Sequence, residues 1–174
     1  MRKGAIDLTE AKYREVIRRK TAVLFEGTCR ASAILADVSQ QKEAALGAYG
    51  LNLGLAFQMA DDLLDYTQDI SSLGKHAGAD LREGKMTLPL IHALSRAPET
   101  DRQRMVAILE NPNFTGTDFV ALVEMLKCHG GIAYTEEKAA VHIQTAKTAL
   151  QPFGDSPMRE ILMDIADYAL VRKA

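Results

Sequence analysis

Along most of this chain the apolar positions recur with helical spacing, and no useful stretch alternates with period two as a strand would. Residues 9–37 read as one helical stretch opened by Thr9, with Val16, Ile17, Val23 and Leu24 on the helical repeat and the small residues Gly27, Ala31, Ser32 and Ala33 after them. Lys12 rather than an acid stands three residues after Thr9, so a full capping box is not expected. A second helix is predicted over 40–67, starting near Ser39 and rich in Ala and Leu; at 1.5 Å per residue it would run for about 40 Å. Gly47, Gly50 and Gly54 lie inside it. Each costs about 1 kcal/mol relative to Ala in an exposed helix, so the three together predict close packing against a neighbouring backbone. Residues 68–86 break the pattern with Gly74, Gly78 and Gly84 and read as a loop. Thr87 to about Ala97 reads as a short helix with Pro89 in its first turn. Further helices are expected at about 99–110, 117–128, 132–150 and 157–172, separated by Pro112, by Gly130-Gly131 and by Pro152-Phe153-Gly154. No repeat, low-complexity segment or second domain is visible. The expected architecture is all-α, an antiparallel helical bundle over residues 1–174.

Composition narrows the classes of function. The 174 residues are 47% hydrophobic and 25% charged, the balance of a soluble globular protein with a sizeable core. A formal net charge of −2 gives no general reason to expect nucleic acid or an anionic membrane as partner. The chain has no Trp and only 6% aromatic residues, a poor basis for stacking single-stranded bases. No apolar run is long enough for an integral membrane segment. The N-terminus has two early basic residues but no apolar core behind them, so a signal peptide is not expected. Cys29 and Cys128 are far apart without metal-type spacing; two free thiols in a cytoplasmic protein are expected.

The segment richest in chemistry is Phe57-Gln58-Met59-Ala60-Asp61-Asp62-Leu63-Leu64-Asp65-Tyr66. Asp61 and Asp65 are four apart and share a helix face, which Gln58 joins from three residues before Asp61. Asp62 sits one residue round. Carboxylates this close repel one another when ionised, so a cation should offset the cost. Hard oxygen donors without His or Cys suit magnesium or manganese, and magnesium commonly binds through a few carboxylates plus substrate phosphates. A diphosphate held through Mg2+ on a helix wall is one reading; a solvated acidic patch is the other.

Two groups of basic residues lie nearby in sequence. Lys75 follows Gly74, and Lys85 follows Gly84, where glycine permits close approach of the backbone to a ligand. Lysines there could neutralise phosphate charge, or the segment could be a polar surface loop. Lys20-Thr21 lies mid-helix in Arg18-Arg19-Lys20-Thr21-Ala22. It reads either as a solvated basic turn or as a phosphate-binding lysine beside a reacting carbon, and spacing does not separate the two.

Taken together, Lys20-Thr21, Phe57-Gln58-x-x-Asp61-Asp62-x-x-Asp65 and Gly74-Lys75-x-x-Gly78-x-Asp80-Leu81-Arg82-Glu83-Gly84-Lys85-x-Thr87-Leu88-Pro89 resemble the trans-isoprenyl (polyprenyl) diphosphate synthases in order and spacing. The resemblance covers essentially the whole chain and weakens after about residue 95. It implies the isoprenoid synthase type of helical bundle, usually a homodimer, that condenses an allylic diphosphate with isopentenyl diphosphate. On this resemblance Asp61, Asp62 and Asp65 look like the family's second aspartate-rich motif, with Asp61 the leading Mg2+ ligand and the other two acting directly or through metal-bound water. Lys20 and Lys75 would hold the departing diphosphate, Lys85 would support the same cluster, and Thr21 and Gln58 would stabilise developing positive charge. Phe57 resembles the aromatic that packs beside isopentenyl diphosphate. The first aspartate-rich motif is missing: nineteen residues precede Lys20 and Asp7 is their sole aspartate. The chain therefore reads as the C-terminal half of such a synthase, exposing apolar surface where further helices would pack and inactive by itself. The competing readings are a non-catalytic subunit of a heteromeric synthase, a terpene cyclase sharing the fold, and an unrelated helical bundle with an acidic patch.

Overall fold

The helices expected from the apolar periodicity form, with ends close to those expected and one internal interruption. The structure is a computed structural model, and it describes residues 7–67, 81 and 84–171. In chain order the elements are α1 (Glu10–Ile17), a π turn (Arg18–Ala22), α2 (Val23–Leu35), α3 (Gln40–Thr67), α4 (Leu88–Arg96), α5 (Glu99–Glu110), α6 (Gly116–Cys128), α7 (Gly131–Ala149), a 3-10 turn (Gln151–Phe153) and α8 (Pro157–Val171). No strand occurs among the described residues. Thr9 caps the first stretch by accepting from the Lys12 amide at 3.3 Å, and Ser39 opens α3 by accepting from the Lys42 amide at 3.4 Å.

The interruption falls where one continuous helix was expected. Arg18–Ala22 is wound as a π turn, with one more residue per hydrogen-bonded turn than the helix on either side. Lys20 and Thr21 lie inside it.

The residues divide into two compact units whose borders fall inside helices. The first holds Tyr13 and the residues before it together with Asp61–Glu136, and the second holds Arg14–Ala60 with Glu137–Arg172. In the first unit Leu90 of α4, Met105 of α5 and Leu122 and Leu126 of α6 are fully buried. Burying an aliphatic side chain of this size stabilises by roughly 1.5–3 kcal/mol relative to exposure, so this interior carries much of the unit's stability. Thr115 caps α6 through a reciprocal box: its hydroxyl accepts from the Asp118 amide at 3.2 Å while Asp118 Oδ2 accepts from the Thr115 amide at 2.9 Å. The bond from the Thr115 amide, and then a 2.8 Å bond that the Thr115 hydroxyl donates to the same Oδ2, lower the Asp118 carboxyl below the ordinary aspartate range. Helix α6 ends in a glycine, Gly130, at φ +73°, the left-handed conformation that stops a helix.

In the second unit α2 and α3 run antiparallel. A Cβ on Gly50 would lie 2.5 Å from the Phe25 carbonyl oxygen, and one on Gly54 would lie 2.6 Å from the Ala22 Cα, so later positions on α3 meet earlier ones before and in α2. The third glycine departs from the expectation of backbone contact, since a Cβ on Gly47 would meet the Arg30 side chain instead. Tyr49, Leu53 and Ala56 of α3 pack with Ile143 and Ala146 of α7 and with Ala166 and Ala169 of α8. The Tyr49 hydroxyl donates to the Leu162 carbonyl at 2.7 Å, and burial, then the neighbouring Cys29, pushes its pKa up to about 12. The Cys29 thiol is itself pushed up by burial.

Apolar side chains are also left in contact with solvent. Leu24, Ile34 and Leu35 of the α2 stretch are exposed, Leu35 to 88%, as are Met158, Tyr168 and Val171 of α8. No helix among the described residues is long and apolar enough to cross a membrane.

Candidate active site

Each unit presents part of the expected chemistry. In the second unit the π turn carries Lys20, which is exposed, and Thr21, which is half-buried. Gly54 lets α3 approach Ala22, the residue after Thr21, to within van der Waals limits, and Gln58 stands one helical turn beyond Gly54. The result is a hydrogen bond from the Thr21 hydroxyl to Gln58 Oε1 at 2.6 Å. Gln58 is 3% exposed, so its amide is fixed rather than solvated. Phe57 beside it is half-buried, its ring centroid 5.5 Å from that of Phe25 and tilted by 40°.

In the first unit the last turns of α3 carry the three carboxylates, and their environments differ. Asp61 is exposed and Asp65 half-buried, one turn apart. Asp62 is 5% exposed and turned inward, where its Oδ2 accepts a 2.6 Å hydrogen bond from the hydroxyl of Tyr13, itself 3% exposed. Tyr66 and Thr87, both buried, share a 2.5 Å hydrogen bond between their hydroxyls. Thr87 occupies the N-cap position of α4 without capping it through its side chain. Lys85 is half-buried and follows Gly84, whose φ of +70° is the left-handed conformation. Lys75 lies outside the described residues.

A metal would have to be held by few protein ligands. Among the described residues no group of three or more His, Cys, Asp or Glu is gathered closely enough to hold an ion. Asp61 and Asp65 leave two hard carboxylates on the accessible side of α3. Magnesium, which completes its octahedron with water and substrate phosphate oxygens, fits such a donor set; zinc, which favours a closed set of nitrogen and sulfur ligands, does not.

Sequence reasoning had no means of pairing Tyr13 with Asp62 or Tyr66 with Thr87. The only available signal was that a buried carboxylate or hydroxyl needs a partner.

Known proteins of the same kind match the chain throughout. The polyprenyl synthetase family model matches residues 1–126. A short chain isoprenyl diphosphate synthase of Methanothermobacter thermautotrophicus is 42% identical over 169 residues, 97% of this chain and 51% of that protein. The octaprenyl diphosphate synthase of Escherichia coli is 40% identical over 167 residues, 95% of this chain and 51% of that one. In three dimensions a polyprenyl synthase from Caulobacter crescentus, crystallised with calcium and isoprenyl diphosphate, superposes with a TM-score of 0.91 at 41% identity, covering 100% of this chain and 53% of that one. The chain thus spans about half the length of the curated relatives it matches. On the family match, the identities and the superposition together, this chain belongs to the polyprenyl synthetase family.

Proposed function

We propose that this chain is the aspartate-bearing C-terminal half of a magnesium-dependent trans-polyprenyl diphosphate synthase. The whole enzyme would join an allylic diphosphate head to tail with isopentenyl diphosphate in isoprenoid biosynthesis. The observation that carries this reading is the Asp61/Asp65 pair, two hard carboxylates one turn apart on the accessible side of α3, in a chain of this family.

Asp61 would lead in holding magnesium, with Asp65 beside it and Asp62 behind them. When bound, the metal supplies positive charge that stabilises a departing diphosphate. Lys20 and Lys75 would bind that diphosphate, and Lys85 would support it as a further point charge. The Thr21 hydroxyl proton is committed to Gln58, so the Thr21 oxygen has only lone pairs left to offer. Lone pairs are what an electron-poor allylic carbon requires, and preorganised dipoles of this kind act without reorganising during the reaction. Phe57 would pack beside isopentenyl diphosphate. A cytoplasmic homodimer is the setting that the free cysteines and the exposed apolar residues of α2 support.

The test is a thermal melt of this chain with and without Mg2+ and a non-hydrolysable allylic diphosphate analogue. A ligand at 100 times its Kd stabilises by about 2.7 kcal/mol, and each kcal/mol moves the midpoint by about 2–4 °C in a chain of this size. The expected result is a shift that needs both metal and diphosphate and disappears in Asp61→Ala. Absence of any shift, both for the chain alone and after co-expression with the upstream half of a relative, would refute the proposal.

A further inference from the structure

We propose that Tyr13 is a positioning residue for the metal-facing turn of α3, which it holds by the inward carboxylate of Asp62. The inference rests on the magnesium reading of Asp61 and Asp65 and adds a division of labour among the three carboxylates.

Consecutive helix residues point about 100° apart, so Asp61 and Asp62 cannot both face one ligand squarely. The structure resolves the choice: Asp61 is exposed, and Asp62 is 5% exposed. An ionised carboxylate only accepts hydrogen bonds, and a buried one is costly unless donors reach it. Tyr13, 49 residues earlier, is such a donor, and the 2.6 Å separation from Asp62 Oδ2 is the length of a charge-assisted O–H···O bond. The ring of Tyr13 is also buried, at 3% exposure, so packing fixes the hydroxyl before the bond forms. The bond joins the start of α1 to the end of α3 inside a single unit. With Asp62 fixed, the turn that runs from Asp61 to Asp65 has one rotational setting about its axis, which presents those two side chains together. Outer partners of this kind commonly govern metal affinity although they never touch the ion.

The experiment measures Mn2+ affinity of this chain by electron paramagnetic resonance in the presence of inorganic pyrophosphate, with thermal melts recorded alongside. Tyr13→Phe removes the hydroxyl and keeps the ring. It should weaken Mn2+ binding about tenfold, the lower end of the range for lost outer partners. Asp62→Asn should weaken it by a similar factor, and the double variant no further, because both changes remove the same charge-assisted bond. Asp61→Asn should abolish binding.

Unaltered Mn2+ affinity in Tyr13→Phe, or additive losses in the double variant, would overturn the assignment. So would an Asp62→Asn variant as inert as Asp61→Asn, because Asp62 would then be a direct ligand. If Tyr13→Phe does not fold, the Asp62→Asn and Asp61→Asn comparison still decides: either equal loss or no loss in Asp62→Asn overturns the proposal. Retained Mn2+ binding in Asp61→Asn and Asp65→Asn would instead sink the underlying magnesium reading.

Discussion

Replacing Gly54 with alanine should destabilise a helix that intrinsic propensity says it ought to strengthen. In an exposed helix interior the change would gain about 1 kcal/mol. Here the new methyl would lie 2.6 Å from the Ala22 Cα, 3.1 Å from the Ala22 Cβ and 3.2 Å from the Phe25 Cβ. Carbon atoms rest at about 3.5–4.0 Å, so α3 must move away from the π turn by about 1 Å. The obstructing atoms are rooted in backbone and cannot swing aside, which puts the overpacking cost near the upper end of the usual 1–3 kcal/mol. The same movement stretches the 2.6 Å bond between Thr21 and Gln58, whose loss is worth about 1 kcal/mol. Set against the propensity gain, the net destabilisation is about 2–3 kcal/mol. Gly27→Ala is the matched control, because a Cβ there meets nothing within 4 Å and the position lies inside α2. That variant should be stabilised by up to about 1 kcal/mol. Urea titrations followed by far-ultraviolet circular dichroism measure both. A Gly54→Ala variant as stable as the parent would show that the two helices yield freely, and the close-packing argument would fail.

Other expectations are simpler to check. Thr115→Ala removes the cap of α6 and should lower stability by about 1 kcal/mol, with Thr115→Ser retaining most of it. His142 hydrogen-bonds Asn52 Oδ1 through Nδ1 at 2.8 Å, and burial, then Arg14, then Lys138, hold its pKa below the ordinary histidine range. The fold therefore prefers the neutral ring. Its contribution is present above about pH 6.5, where the unfolded residue is neutral too, and is lost as pH falls through the lower folded pKa. Denaturation midpoints should fall on acidification across this range, and His142→Gln should flatten the slope.

How much of this could be read from residues alone follows from the range of the interactions. Local pattern set the bounds of α3, because its apolar repeat is unbroken and Ser39 marks its start. Gly50 and Gly54 announced a close neighbour, while Gly47 did not fit because a flexible arginine, unlike backbone, can occupy the same space. The π turn was invisible, since Arg18-Arg19-Lys20-Thr21-Ala22 suits an ordinary helix equally well. The box at Thr115 was missed because its acid is Asp118 and not the Glu or Gln that usually marks the motif. In the candidate site, Asp61 and Asp65 could be placed on one face by arithmetic, whereas the inward turn of Asp62 depends on a tyrosine 49 residues away. No local rule selects such a partner.

The wide turn at Arg18–Ala22 also bears on how the family should be aligned and re-engineered. A π turn is equivalent to one residue inserted into an α-helix, and removing one residue restores the ordinary winding without breaking the rod. Such a deletion would leave the flanking helical residues on the faces they now hold, because the wide turn already takes up the extra residue, and would reset only the directions of the side chains within Arg18–Ala22. Relatives that differ here by a single gap would therefore conserve the helix and the faces on either side of the turn while changing where the side chains of the turn itself point. Percent identity across this segment is a poor guide to whether Lys20 and Thr21 keep their orientation.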